Sequence, residues 1–167
     1  MNRIFPMVSF DSISRKEANE LLVQWKHKMG PIERGNTEGW CHALFCEGES
    51  QAVTCTSTLI RKCVGGGLSM LTRENAVELS RLCAIRPGLC RVALRLWREF
   101  VFPTLKYQYA ISYQDSDLHN GNLYRFDGWL RAAYSHSGTD TRSGRKGRDK
   151  WIWIWPHDKT LTSLMVV

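Results

Sequence analysis

Apolar residues recur along this chain in two periods, and the switches between them mark the elements. Residues 4–10 mix Ile, Phe and Val and read as a first strand, with Pro6 confining it to an edge position or a late start. Ser14-Arg15-Lys16-Glu17 is a capping box. The helix it opens sets Ala18, Leu21, Leu22, Trp25 and Met29 on one face, a stripe that reads as core packing, and Gly30-Pro31 ends it. Residues 32–39 are polar and form a loop. Residues 40–46 and 51–60 read as two strands joined by a hairpin turn at Glu47-Gly48-Glu49-Ser50. The triplet Gly65-Gly66-Gly67 lacks the Lys-Ser/Thr of a phosphate-binding loop, and no helix follows it, so it reads as a flexible connection. Residues 76–85 alternate as a strand, with Val77, Leu79 and Arg81 on one face and Glu78, Ser80 and Leu82 on the other. A charge on each face of a central strand has two explanations. Either Glu78 and Arg81 satisfy each other or nearby loops, or Glu78 faces a reaction cleft. A helix over about 90–100 then buries Val92, Ala93, Leu96, Trp97 and Phe100, with Pro103 just beyond its end.

Residues 107–113, YQYAISY, have strand composition and run into the polar cluster Asp115-Ser116-Asp117, which are turn and N-cap residues. Residues 118–126 supply two turns of helix, weakened by about 1 kcal/mol at Gly121 and stopped by Asp127-Gly128. Residues 130–135 read as a further strand. Residues 150–156 alternate Trp and Ile, which gives either a strand covered on both faces or one whose Trp face stacks on bases. The order β-α-β-β-β-α-β-α-β-β makes an α/β (α+β) chain with a mixed, twisted sheet of about six to seven strands flanked by helices. A strand, a polar mouth and a short helix carrying Tyr124 form the kind of site found at the C-terminal edge of such a sheet.

At 167 residues the chain is expected to be a single domain over 1–167, with a basic loop or arm at about 137–150. Apolar content of 43% and charged content of 23% are those of a soluble globular chain, and no apolar run approaches the ~20 residues of a membrane span. Without a signal-peptide pattern at the start, the expected location is cytoplasmic. The formal charge of +7 favours a polyanionic partner, either nucleic acid or a phosphate-bearing small molecule. The six cysteines, Cys41, Cys46, Cys55, Cys63, Cys83 and Cys90, contain no CxxC pair and read as reduced, mostly buried thiols. Arg142, Arg145, Lys146 and Arg148, beside Lys150 and Trp151, make the arm the nucleic-acid candidate; the competing reading is a solvated hairpin tip.

The helix end Asn122-Leu123-Tyr124-Arg125-Phe126-Asp127-Gly128-Trp129 resembles the LYxxxGF ending of GNAT acyltransferases. The longer run of Ser112-Tyr113-Gln114-Asp115, His119, Gly121, Tyr124 and Gly128-Trp129 is similar to a narrower branch, the phage Mom-type DNA modification proteins and their GNAT-like relatives. The stretch Glu78-Leu79-Ser80-Arg81-Leu82 looks like the central strand of that branch. The resemblance covers nearly the whole chain and implies a GNAT-like fold.

It also implies roles. GNAT enzymes transfer an acyl group from CoA to an amine. They hold the pyrophosphate at a strand–turn–helix, polarise the thioester with a central-strand N–H, and protonate the leaving thiolate with a tyrosine. Carried over, the donor would lie against Leu82, Cys83, Arg86, Gly88, Cys90 and Arg91, and Tyr124 would be the proton donor. The competing reading of Tyr124 is a packed side chain whose hydroxyl caps a strand carbonyl. The family form Q/R-x-x-G-x-G/A is not kept: Leu89 stands where the first glycine is expected, and Gly88 is one residue early.

Mom-type proteins alter the amino group of adenine in DNA. By that resemblance the chain would be a phage or mobile-element DNA-modifying transferase that protects against restriction, at work in the host cytoplasm. Ser112, Asp115, His119, Tyr124 and Glu78 would be catalytic, and Tyr113 and Trp40 would stack on the base. Asp115, Asp117 and His119 serve equally as base and orienter, as ligands for a divalent metal or iron, or as helix caps with His119 exposed. The rivals are a CoA-dependent N-acetyltransferase on a small amine or protein, and a non-enzymatic GNAT-fold module acting against host defence. The partners implied are DNA and an acetyl-CoA-like or related acyl or aminoacyl donor, without a membrane; the oligomeric state stays open.

Overall fold

The computed structural model describes residues 5–33, 39–139, 141 and 147–156. Its elements run β1 (Val8–Ile13), α1 (Arg15–Gln24), β2 (Gly39–Cys46), β3 (Glu49–Thr58), β4 (Ala76–Ala84), α2 (Pro87–Leu96), β5 (Tyr109–Asp115), α3 (Asn122–Asp127), β6 (Leu130–Ser135) and β7 (Lys150–Trp155). The seven strands form one mixed sheet in the order β1-β2-β3-β4-β5-β7-β6. The chain packs as two compact units. One holds the described residues up to Thr58 together with Leu79–Lys106. The other holds Leu59–Glu78 together with the described residues from Tyr107 onward.

In the first unit β1, β2 and β3 form an antiparallel meander in which Ile13 faces Cys41 and Cys41 faces Cys55. Alternation along these strands sends one set of side chains toward α1 and the other toward α2. Ala18 and Leu22 of α1 pack with Cys41, Val53 and Cys55; Ala93 of α2 packs with Leu44 and Ala52. The capping box forms as read: Ser14 Oγ accepts from the Glu17 N–H at 3.1 Å, and Glu17 Oε2 accepts from the Ser14 N–H at 2.7 Å.

Three expectations shift here. The first strand starts only at Val8, two residues past Pro6, and residues 1–4 lie outside the described set. The first helix stops at Gln24, because Lys26 turns to a φ of 54°, so Met29 leaves the stripe and is exposed. The second helix starts at Pro87, not near 90. Proline is favoured at a first helical position, where its missing N–H costs nothing. A π turn over Trp97–Val101 adds a residue to that helix and rotates its apolar face. Ala93, Leu94, Trp97 and Val101 are buried, while Val92 and Phe100 are exposed. The Trp97 indole N–H donates to Thr56 Oγ1 at 2.7 Å.

In the second unit β4 runs parallel to β5, with Glu78 opposite Ile111, and β7 lies antiparallel between β5 and β6. Registered partners share a face. Glu78, Ile111, Tyr113, Ile152 and Ile154 therefore look one way, and Ser112, Gln114, Trp151 and Trp153 the other. The first face is covered by Leu59, Val64, Leu68 and Leu71. Gly66 is part of that cover rather than slack: at its φ of 71° a Cβ would lie 3.2 Å from the Cβ of Ala133. The second face carries Tyr124, Trp129 and Trp155.

Candidate functional site

The proton-handling candidate is built on β5 and α3. Ser112 and Tyr124 are both buried, and their hydroxyl oxygens are 2.7 Å apart. Tyr124 stacks on Trp153 at 5.5 Å and 22° and meets Trp129 edge-on at 5.5 Å. The ring is thus held on two sides, and its hydroxyl meets a side-chain hydroxyl.

A latch that motif reading missed fixes this geometry. Gln114 Oε1 accepts the Trp153 indole N–H at 2.7 Å, and Gln114 Nε2 donates to the carbonyl of His119. The sequence signals were present: a glutamine at a buried alternate position, a tryptophan across the ladder, and Gly121 between them. Gly121 has a φ of 76°, and a Cβ there would stand 2.5 Å from Gln114 Oε1 and 2.6 Å from Trp153 Cζ2. The third helix accordingly begins at Asn122, and Gly121, not Asp115 or Asp117, is its N-cap residue.

The other members of the polar cluster do not join Tyr124. Asp115 ends β5, where Oδ1 accepts from the Asp117 N–H at 3.0 Å and Oδ2 from Arg148 Nη1 at 3.2 Å. Asp117 and His119 are exposed. Among the described residues no group of three or more His, Cys, Asp or Glu side chains is arranged to hold a metal, so Asp115, Asp117 and His119 do not fit a metal centre. Glu78 lies on the opposite face of the sheet from Ser112 and Tyr124 because its registered neighbour is Ile111. Arg81 reaches a nearby loop: its Nε donates to the Gly30 carbonyl at 3.1 Å, and its Nη1 donates to the Ser80 carbonyl at 2.8 Å. Glu78 sits near Tyr113. Burial first, then the Glu78 charge, pushes the Tyr113 phenol up to about 12, partly offset by Arg61.

The donor candidate lies in the first unit. Arg86 is the N-cap residue of α2 and makes no side-chain cap, and the first turn holds no acid. Arg86, Gly88 and Arg91 are exposed, and nothing lies within 4 Å of where a Gly88 Cβ would be. The glycine-bearing turn expected ahead of the helix is therefore its first turn. Leu89 at the departed glycine position packs with Leu44, Ala52 and Ala93, and Leu82 joins the same cluster. Cys83 points into the α1-side cluster with Cys41 and Cys55. The Cys90 thiol is pushed up to about 11, chiefly by burial.

Of the nucleic-acid candidates, Arg142, Arg145 and Lys146 lie outside the described residues. Arg148 is paired with Asp115, and Lys150 Nζ sits 5.7 Å from the Tyr113 ring centroid. Trp40 is half-buried in β2 opposite Thr56. The Trp face of β7 is not an open platform: Trp153 is buried, and Trp151 is covered by Tyr134 at 4.6 Å and by the Arg131 guanidinium at 4.3 Å.

A mixed seven-stranded sheet with this element order and flanking helices is the GNAT acyltransferase fold. Among solved structures it is shared with mutant forms of a spermidine/spermine N-acetyltransferase from Vibrio cholerae, at a TM-score of 0.61 and 9% identity over 94% of this chain and 99% of that one. It is shared also with the Escherichia coli N-acetyltransferase that acts on an alanine of a ribosomal protein, at 0.59 and 15% over 90% and 94%. A Campylobacter jejuni N-acetyltransferase gives 0.52 and 13% over 92% and 100%. At these identities the likeness is one of fold. No protein-family model and no curated protein sequence matches the chain. The narrower Mom-type resemblance rests on the sequence motif alone.

Proposed function

We propose that the protein is an acyltransferase that moves an acyl group from a CoA thioester to an amine. The observation that carries this reading is the N-terminus of α2. It directly follows a central strand in a GNAT fold, bears Arg86 and Arg91, and has neither an acid nor a side-chain cap to compete for an anion. The Gly88 N–H and the helix dipole favour a pyrophosphate there. In the reaction the amine nitrogen bonds to the thioester carbonyl carbon, the carbon–sulfur bond breaks, the nitrogen gives up one proton, and the thiolate takes up one, so the proton lost by the amine replaces the one that the donor supplies. Tyr124 is the proton donor in this proposal, with the Ser112 hydroxyl supporting its oxygen.

The acceptor is a small amine or a protein amine. An adenine amino group in DNA is the finer alternative, supported by the run from Ser112 to Trp129 and by the charge of +7. A cytoplasmic setting belongs to the same proposal. Thiol release from acetyl-CoA, followed with a panel of amines, a protein N-terminus and a DNA oligonucleotide, tests it. Wild type is expected to release thiol, and Tyr124→Phe to lower kcat about 100-fold with little change in KM. Folded protein with no release on any acceptor would contradict the transferase reading and favour a binding module. Release with the oligonucleotide alone would move the acceptor to DNA.

A further inference from the structure

The Tyr124 face of β5 and β7 carries a buried amide that packing alone does not require. Gln114 is 4% exposed and Trp153 is 2% exposed, so bulk water cannot replace a lost partner at either. An apolar side chain would fill the Gln114 position with no polar group to satisfy. Gln114 instead reaches two partners. Its Oε1 accepts the Trp153 indole N–H at 2.7 Å, and its Nε2 donates to the His119 carbonyl in the exposed turn ahead of α3. A carboxamide accepts and donates at once without carrying charge.

These contacts close a ring around the tyrosine. Ser112 and Gln114 stand two residues apart on one face of β5. The Ser112 hydroxyl meets that of Tyr124 at 2.7 Å, the Tyr124 ring stacks on Trp153 at 5.5 Å, and the Trp153 N–H returns to Gln114. One strand therefore fixes both the hydroxyl of Tyr124 and the ring on which it stacks. Resting on the transferase reading, we infer that Gln114 is a positioning residue: it ties the turn before α3 to Trp153 and, through Trp153, holds the Tyr124 hydroxyl where it protonates the leaving thiolate. Gln114 touches neither thioester nor thiolate and acts only through Tyr124. Its loss therefore slows turnover and leaves donor binding at α2 unchanged.

Steady-state thiol release tests this on Gln114→Leu and Gln114→Glu, each alone and combined with Tyr124→Phe, with rates corrected for folded fraction. Gln114→Leu is expected to lower kcat about tenfold at unchanged KM for acetyl-CoA. In the Tyr124→Phe background the same change is expected to alter the residual kcat less than about twofold, because the hydroxyl it positions is gone. Gln114→Glu keeps an acceptor for the indole but, ionised, sets a carboxylate against the His119 carbonyl. Protonated, it donates there again, so its kcat relative to wild type is expected to rise as pH falls. The inference is overturned if Gln114→Leu keeps full kcat, if only KM changes, or if its loss multiplies with that of Tyr124→Phe. Should Gln114→Leu fail to fold, Gln114→Glu decides: a ratio to wild type that stays flat on acidification overturns it. Fluorine NMR of 3-fluorotyrosine-labelled protein reads the position without turnover. The Tyr124 signal, identified by its loss in Tyr124→Phe, is expected to move in Gln114→Leu and in ionised Gln114→Glu. Movement in protein that releases no thiol would sink only the transferase reading; an unmoved signal in active protein would sink only this inference.

Discussion

Gly121 is where a single backbone position constrains the site most. With a φ of 76°, and with Gln114 Oε1 and Trp153 Cζ2 at 2.5 and 2.6 Å from an added Cβ, it tolerates no side chain. Gly121→Ala is expected to lower stability by about 2–3 kcal/mol, read as a drop in urea midpoint at unchanged m-value. The steric push acts on Trp153, on which Tyr124 stacks, so the variant should also lose transferase activity beyond what its folded fraction explains. Urea resistance within about 0.5 kcal/mol of wild type would contradict the close approach. In the sequence this glycine stands out as a weak point in a helix and as one position of the Mom-type run. That it is the reason the chain can pass Gln114 and Trp153 follows from a pairing across β5 and β7, residues far apart in sequence, which no local pattern reveals.

At the scale of elements, the helices show which parts of the chain are locally determined. The capping box at Ser14 and Glu17 was legible because both hydrogen bonds lie within three residues. The start of α2 was misplaced because glycine in Pro87-Gly88 suggests a turn, whereas proline is at home in a first turn. Of its buried face, Ala93 and Trp97 were read correctly, while Phe100 was misplaced because a regular period cannot anticipate the π turn at Trp97–Val101. That helix also accounts for the departure from the family glycine. Leu89 packs with Leu44, Ala52 and Ala93, so its side chain serves the fold while the backbone of the turn remains open at Gly88. Leu89→Gly is expected to cost about 2–3 kcal/mol of stability, from lost burial and a more flexible first turn, without tightening acetyl-CoA binding. Thermal unfolding and calorimetry check the two parts. Tighter donor binding would mean that the leucine obstructs the anion.

For the whole molecule, the element order was readable from periodicity but the strand order was not. Nothing in a strand's own pattern tells β7 to insert between β5 and β6. The Trp/Ile alternation of β7 announced two apolar faces, and both are covered, Ile152 and Ile154 on one side and Trp153 on the other. The candidate catalytic set was legible as residues but not as a constellation. A one-residue step along a strand reverses the face, which separates Glu78 from Ser112 and Tyr124. The charge of +7 favours anionic ligands in general and does not choose between CoA and DNA.

The claim on which the account turns is that a CoA thioester binds at the start of α2. The most direct measurement is a backbone amide NMR titration with desulfo-CoA, which cannot turn over. Saturable shifts are expected that are largest at Gly88, Leu89, Cys90 and Arg91, and that weaken with added salt and in Arg86→Gln. Shifts centred elsewhere, or none at millimolar ligand, would contradict it.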